Sequence, residues 1–375
     1  MKINNCGARF SAIVGIGEKI KKLSEETGQE YLYLNRGVND VCRINLETVM
    51  KKIDFNSPSI QFYPPNSGIP ALKEAISQEF FGDKTDKENI TITAGSMGGL
   101  DLIFQTLDVN DIHLPSFFWG PYGHISTIRR IENKTYDSFD ELKENLSSLR
   151  KSAVVICDPN NPLGNKYNDE EILNLVKLLN NNGTVVIFDS PYRRVFCDNT
   201  DLMYRHLMQL KDVIIIESFS KSLGLSGQRL GFIHSTDNGF NEEIRLRILY
   251  VCNGVNAIAQ SIVYQLLTSE EGKKAVREFK EKTTADIKKN IEFMRSHGLL
   301  AEEFYGDSEP MGIFAIISKS EEELLKHRIG SVSLAFFTRT QKEKAANYAR
   351  ICVSVPHEKF VQFLTPLAKP SLSSN

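Results

Sequence analysis

Through the middle of the chain, short apolar and β-branched runs alternate with stretches whose apolar positions recur at helical spacing. Ile90–Thr93, residues 112–114, Ala153–Cys157, and residues 185–188 and 213–217 are runs too short for helices and read as strands. Residues 98–107 and 169–179 between them predict helices. Runs that stay apolar instead of alternating mark strands covered on both faces. The expected fold is therefore α/β, a mostly parallel central sheet flanked by helices. Such sheets bind ligands beyond the carboxyl ends of their strands, where Gly95, Ser96, Asn161, Asp189 and Lys221 fall.

The last third changes pattern. Two long helical stretches, residues 242–267 and 273–297, precede strand candidates at 313–317, 332–336 and 350–353 and a final helix at 357–367. A helix at 18–26 can pack with them. The expected organisation is a large domain over 41–265 and a second, smaller discontinuous α/β domain built from 1–40 and 266–375. A length of 375 residues suits two domains better than one core. The net charge of -2, without a basic run, argues against nucleic acid or an anionic membrane surface as partner. No apolar run reaches the length of a membrane span, and no signal peptide is visible after Met1. The six cysteines are scattered without a CxxC pair, which suits a reducing cytoplasm and offers no metal framework.

Four segments carry candidate chemistry. Ser218-Phe219-Ser220-Lys221 follows a buried strand, where an ammonium is expensive unless the lysine forms an imine with an aldehyde cofactor. The serines, with Arg229 shortly after, suit a phosphate; the alternative is a solvated loop. Asp189 ends an apolar run and can face a pyridine nitrogen, which a carboxylate keeps protonated, while Tyr192 can bond a ring hydroxyl; alternatively the pair ends a strand and packs. Asp158-Pro159-Asn160-Asn161-Pro162 is a turn that can also aim the Asn161 amide at a ligand. Gly95-Ser96-Met97 opens a helix whose free N–H groups suit a phosphate, although a glycine-rich helix start needs none. Trp119, the only tryptophan, can stack on a flat ring or simply join the core. Val14-Gly15-Ile16-Gly17 mimics a dinucleotide fingerprint, but Ile20 stands where its third glycine belongs.

Together, and in this order, these segments resemble the fold-type-I pyridoxal 5'-phosphate (PLP) aminotransferases of class I/II, the group with aspartate and aromatic aminotransferases. The resemblance runs over nearly the whole chain. It implies a Schiff base at Lys221, with Arg229 eight residues on, and phosphate contacts from Gly95, Ser96, Met97 and Ser218. It implies Asp189 at the pyridine nitrogen, Tyr192 and Asn161 at the ring hydroxyl, and Trp119 stacked on the ring. It adds Tyr63, which in the family reaches the phosphate of the neighbouring subunit, and so a homodimer with shared active sites. The substrate side would be formed by Gly37, Trp119, Asn161 and Arg350, the last holding the α-carboxylate.

The implied reaction moves an amino group between an α-amino acid and a 2-oxo acid, with Lys221 as the proton carrier and Asp189 and Tyr192 assisting. Met97 stands where some bacterial aspartate aminotransferases carry a lysine that helps bind a side-chain carboxylate, and Leu163 replaces a usual threonine. The same residues would also serve a PLP-dependent lyase or decarboxylase. A non-enzymatic PLP-binding regulator is the remaining alternative, although no basic segment suggests a DNA-binding unit.

Overall fold

A computed structural model describes residues 1–10 and 12–368. Its centre is a seven-stranded sheet. In chain order the strands are β1 (Ile90–Thr93), β2 (Asp111–Pro115), β3 (Glu132–Tyr136), β4 (Ala153–Cys157), β5 (Val185–Asp189), β6 (Val213–Ser218) and β7 (Gly231–His234). Across the sheet they run β1-β7-β6-β5-β4-β2-β3. Only β7 is antiparallel to its neighbours. The apolar runs are continuous because alternate residues feed two separate cores. Phe188 and Ile215 join Leu72, Phe80 and Phe232 on one face. Ile187, Ile214 and Ile216 join Leu100, Ile103 and Leu114 on the other.

A second unit carries a three-stranded antiparallel sheet in which Ala349–Cys352 lies between Phe314–Ile317 and Val332–Ser333. Leu32–Tyr33 pairs in parallel with Ile329–Gly330, so the start of the chain folds together with its last third. Their shared core includes Leu34, Ile287, Ile291, Ile351 and Phe360. The 27-residue helix Glu270–Ser296 connects the units: Ala275 packs into the large core, and Ile291 and Met294 into the small one.

Several expectations need correction. The stretch 242–267 is two helices, Asn238–Val251 and Ala257–Thr268. The break falls where Asn253 and Gly254 take φ of +51° and +108°, and the Asn256 side chain caps the second helix by accepting from the Ala259 N–H. The expected strand 332–336 stops at Ser333, whose hydroxyl accepts from the Ala335 N–H and opens a 3₁₀ turn over Leu334–Phe337. The helix expected at 98–107 is Gly95–Thr106. The strand β3 carried no apolar run because it is the sheet edge, with only alternate residues covered. The glycines of the apparent dinucleotide fingerprint lie inside the helix Ala12–Thr27.

Candidate active site

The carboxyl ends of β4, β5 and β6 open onto a cavity of about 220 Å³. It is lined by Ser96, Met97, Trp119, Asn161, Asp189, Tyr192, Ser218, Lys221 and Arg229, residues contributed by six separate segments. Asp189 is the last residue of β5, beside Cys157 at the end of β4. Tyr122 donates to its Oδ2, while its Oδ1 is buried without a partner among the described residues. Burial lifts the Asp189 carboxyl to about 7, against the lowering effect of the Tyr122 hydrogen bond.

Lys221 sits on the short helix Phe219–Ser222 directly after β6, which Ser218 caps by accepting from the Ser220 N–H at 3.2 Å. The Lys221 ammonium donates to the Gly37 carbonyl. Burial lowers its pKa to about 8; the nearby Cys352 opposes this, while the Arg229 and Arg350 charges add to it. The free amine is therefore far more accessible than in an exposed lysine, although the ammonium still predominates at neutral pH.

Beside it lies a cradle for an anion. The helix Gly95–Thr106 begins without a side-chain cap, leaving first-turn N–H groups free. The Arg229 guanidinium lies over Gly95 and donates to the Ser226 carbonyl at 2.9 Å. A Cβ on Gly95 would stand 2.8 Å from Arg229 Nη2, and its φ of +71° also favours glycine. Ser96, Ser218, Ser220 and Ser226 add hydroxyls around the same space.

On the opposite wall Arg350, 2% exposed, projects from the small sheet between the rings of Phe314 and Phe337, at 4.1 and 4.7 Å. Its Nη1 donates to Asn161 Oδ1 at 3.0 Å and its Nη2 to the Asn35 carbonyl at 2.7 Å. Its Nε is buried without a partner among the described residues. Burial lowers its pKa to about 10, so it remains a cation at neutral pH. Asn161 in turn donates to the Tyr192 hydroxyl at 3.0 Å. Trp119 stands at the mouth, perpendicular to Tyr122 with centroids 5.5 Å apart.

The structure thus brings together every candidate residue except Tyr63. That side chain is 85% exposed and lies beside the Cys252–Ile258 segment, away from this cavity. Residues not singled out from the sequence also belong here: Tyr122 on Asp189, Asn35 on Arg350, and Cys157 in the lining. Tyr122 lay inside a recognisable aromatic segment, but its partner is 67 residues away.

A lysine, a buried half-partnered carboxylate and an anion cradle at the ends of a doubly wound sheet define the class: a PLP enzyme. The donor set fits the cofactor. A protonated pyridine nitrogen would supply the partner that Asp189 Oδ1 lacks among the described residues, and the Arg229 cradle would suit a dianionic phosphate. The family model of aminotransferase class I and II matches residues 30–365, and the chain belongs to that family. It is 27% identical to an aspartate aminotransferase of Pyrococcus horikoshii, with 82% of each chain covered. It is 26% identical to a probable aspartate aminotransferase of Methanocaldococcus jannaschii, over 79% of this chain and 82% of that one. The fold superimposes on the aspartate aminotransferase of Thermus thermophilus with a TM-score of 0.83, at 19% identity, covering 98% and 99% of the two chains. The protein is a PLP-dependent enzyme that transfers amino groups.

Proposed function

We propose that this enzyme moves the amino group of an α-amino acid to a 2-oxo acid, with Lys221 as its covalent anchor and proton carrier. The observation that supports this most directly is that Lys221 shares one cavity with Asp189 and the Arg229 cradle, with Arg350 bonded to Asn161 on the cavity wall. Bound PLP supplies an aldehyde that condenses with amines and a ring that accepts electrons from the substrate α-carbon. Asp189 Oδ1 holds the proton on the ring nitrogen. Lys221 Nζ, as free amine, takes the proton from the substrate α-carbon. Asn161 and Tyr192 face the ring oxygen, and Ser96, Ser218 and Arg229 hold the phosphate with the helix N-terminus. Arg350 orients the substrate by its carboxylate, which fixes the α C–H bond relative to Lys221.

Further features support an assembly and a location. Phe62, Tyr63, Tyr250 and Val251 are each at least 70% exposed, and Tyr63 lies apart from its own cavity, so we place a second copy of the chain on this surface. All six cysteines are unpaired, in keeping with the cytoplasm, and among the described residues no helix is long and apolar enough to cross a membrane.

Two measurements on the holoenzyme test the reading. Borohydride reduction and peptide mapping should place the cofactor on Lys221. Amino donors mixed with 2-oxoglutarate should yield the donor's 2-oxo acid and glutamate in equal amounts. A label on another lysine, or ammonia or carbon dioxide in place of the oxo acid, overturns it.

A further inference from the structure

Behind the cavity wall lies a charge cluster, buried at Arg193, Asp158 and Asp201 and half-exposed at Asp169, that the chemistry above does not use. Arg193, 1% exposed, follows Tyr192 directly and has all five of its N–H donors engaged. Nε and Nη2 donate to the two oxygens of Asp201 at 2.6 and 2.7 Å. Nη2 and Nη1 donate to the two oxygens of Asp169 at 2.7 and 3.0 Å. The remaining Nη1 hydrogen goes to Asp158 Oδ2 at 3.0 Å. The Lys166 ammonium donates to Asp169 at 2.6 Å, so three carboxylates face two cations.

The three carboxylates come from different pieces of chain. Asp169 opens the helix Asp169–Asn181, and Asp201 precedes the helix Met203–Leu207. Asp158 is fully buried at the head of the turn that carries Asn161, and its other oxygen accepts from the Tyr167 N–H. One planar group therefore ties the residue after Tyr192 to the residue three before Asn161. Those two side chains meet in the cavity at 3.0 Å. Buried ion clusters contribute little net stability compared with an apolar packing of the same volume, because desolvation offsets their attraction. What this one supplies is geometry: a guanidinium holding two carboxylates through paired bonds has one orientation.

We propose that Arg193 is a positioning residue that, through Asp158, sets the Asn161–Tyr192 pair against the ring oxygen of the bound cofactor and so tunes the cofactor's ionisation. The inference rests on the reading that Asn161 and Tyr192 face that oxygen. Asp158 is the arm that acts on the site, and Asp201 only anchors the guanidinium.

The test is a pH titration of the visible absorbance of the holoenzyme, with thermal melting alongside. Lys221, Asp189, Tyr122, Cys157 and Arg229 also line the cavity, with Arg350 on Asn161 beside it, and all stay unchanged throughout. Arg193→Lys keeps the charge but has three donors and no planar fork. It should move the spectroscopic midpoint by about one pH unit, as should Asp158→Asn, comparable to weakening one hydrogen bond to an ionised group. Asp201→Asn should lower the melting temperature yet leave the midpoint within about 0.3 of wild type, well under one such bond. Asn161→Ala reports on the underlying reading. If Asn161→Ala moves the midpoint while Arg193→Lys and Asp158→Asn do not, the positioning role is wrong. A shift from Asp201→Asn as large as that from Asp158→Asn reduces the cluster to general support and also overturns it. An unmoved Asn161→Ala removes the reading of Asn161, and the inference with it.

Discussion

Replacing Arg350 tests the substrate half of the site. The guanidinium holds itself with two donors, on Asn161 and Asn35, and keeps a buried Nε–H free of any partner. A carboxylate approaching that edge receives a charge-assisted bond in a site closed by Phe314 and Phe337. Removing one member of a buried, hydrogen-bonded charge pair costs about 2–5 kcal/mol. At about 1.4 kcal/mol per factor of ten, kcat/KM for an amino acid should fall by about 30-fold or more in Arg350→Met. Arg350→Lys should recover only part, because a flexible point charge cannot reproduce the fixed planar guanidinium held by Asn161 and Asn35. The variant should still bind PLP, since the cradle lies on the opposite wall. Asn161 loses a donor but keeps its bond to Tyr192, so only a modest loss of melting temperature is expected. The discriminating assay compares an α-amino acid with an amine of similar size that lacks the carboxylate. Arg350→Met should penalise the first and spare the second. Equal losses for both, unchanged kinetics, or loss of PLP from folded protein would refute the assignment.

Gly95→Ala should weaken PLP binding about tenfold or more, because the new Cβ meets Arg229 at 2.8 Å from a backbone at φ +71°. Gly227→Ala nearby, where a Cβ meets nothing within 4 Å, should leave affinity unchanged; a fluorescence titration of apoprotein with PLP decides. The second expectation concerns pH. Asp189 titrates at about 7 in the fold against about 3.9 in an unfolded chain, so its contribution to apoprotein stability is greatest at low pH. That contribution is lost as pH rises from about 4 through about 7. Asp189→Asn should remove this share of the slope in melting temperature over that window, and an identical slope in the two proteins would show that Asp189 is not strained by burial.

The sheet strands were legible because both of their faces are buried, which leaves a run with no polar interruption. What escaped was set by neighbours distant in sequence. The break in residues 242–267 depends on Asn253 and Gly254 adopting left-handed backbone against Pro64, and the surrounding apolar spacing gives no sign of it. The edge strand Glu132–Tyr136 has one face exposed and reads as polar. In the site, Lys221, Asp189 and Asn161 were visible because each follows a strand end. Tyr122 and Asn35 act through partners 67 and 315 residues away, and no local pattern encodes such a pairing.

The same distinction explains why the site residues lie where local rules are broken. Among the described residues Asp189 leaves a carboxylate oxygen unpartnered in the interior, Arg350 leaves a guanidinium N–H likewise, and burial lowers the pKa of Lys221 to about 8. Each arrangement costs free energy in the protein alone. The large apolar cores on both faces of the sheet hold the strand ends that carry Asp189 and Lys221 in place regardless. Bound cofactor would bring a ring N–H to Asp189 and an aldehyde to Lys221, and the amino-acid substrate a carboxylate to Arg350, so that cofactor and substrate together would relieve all three. Binding energy is then concentrated at the reacting atoms, and the cofactor stabilises the fold by the same contacts through which it works.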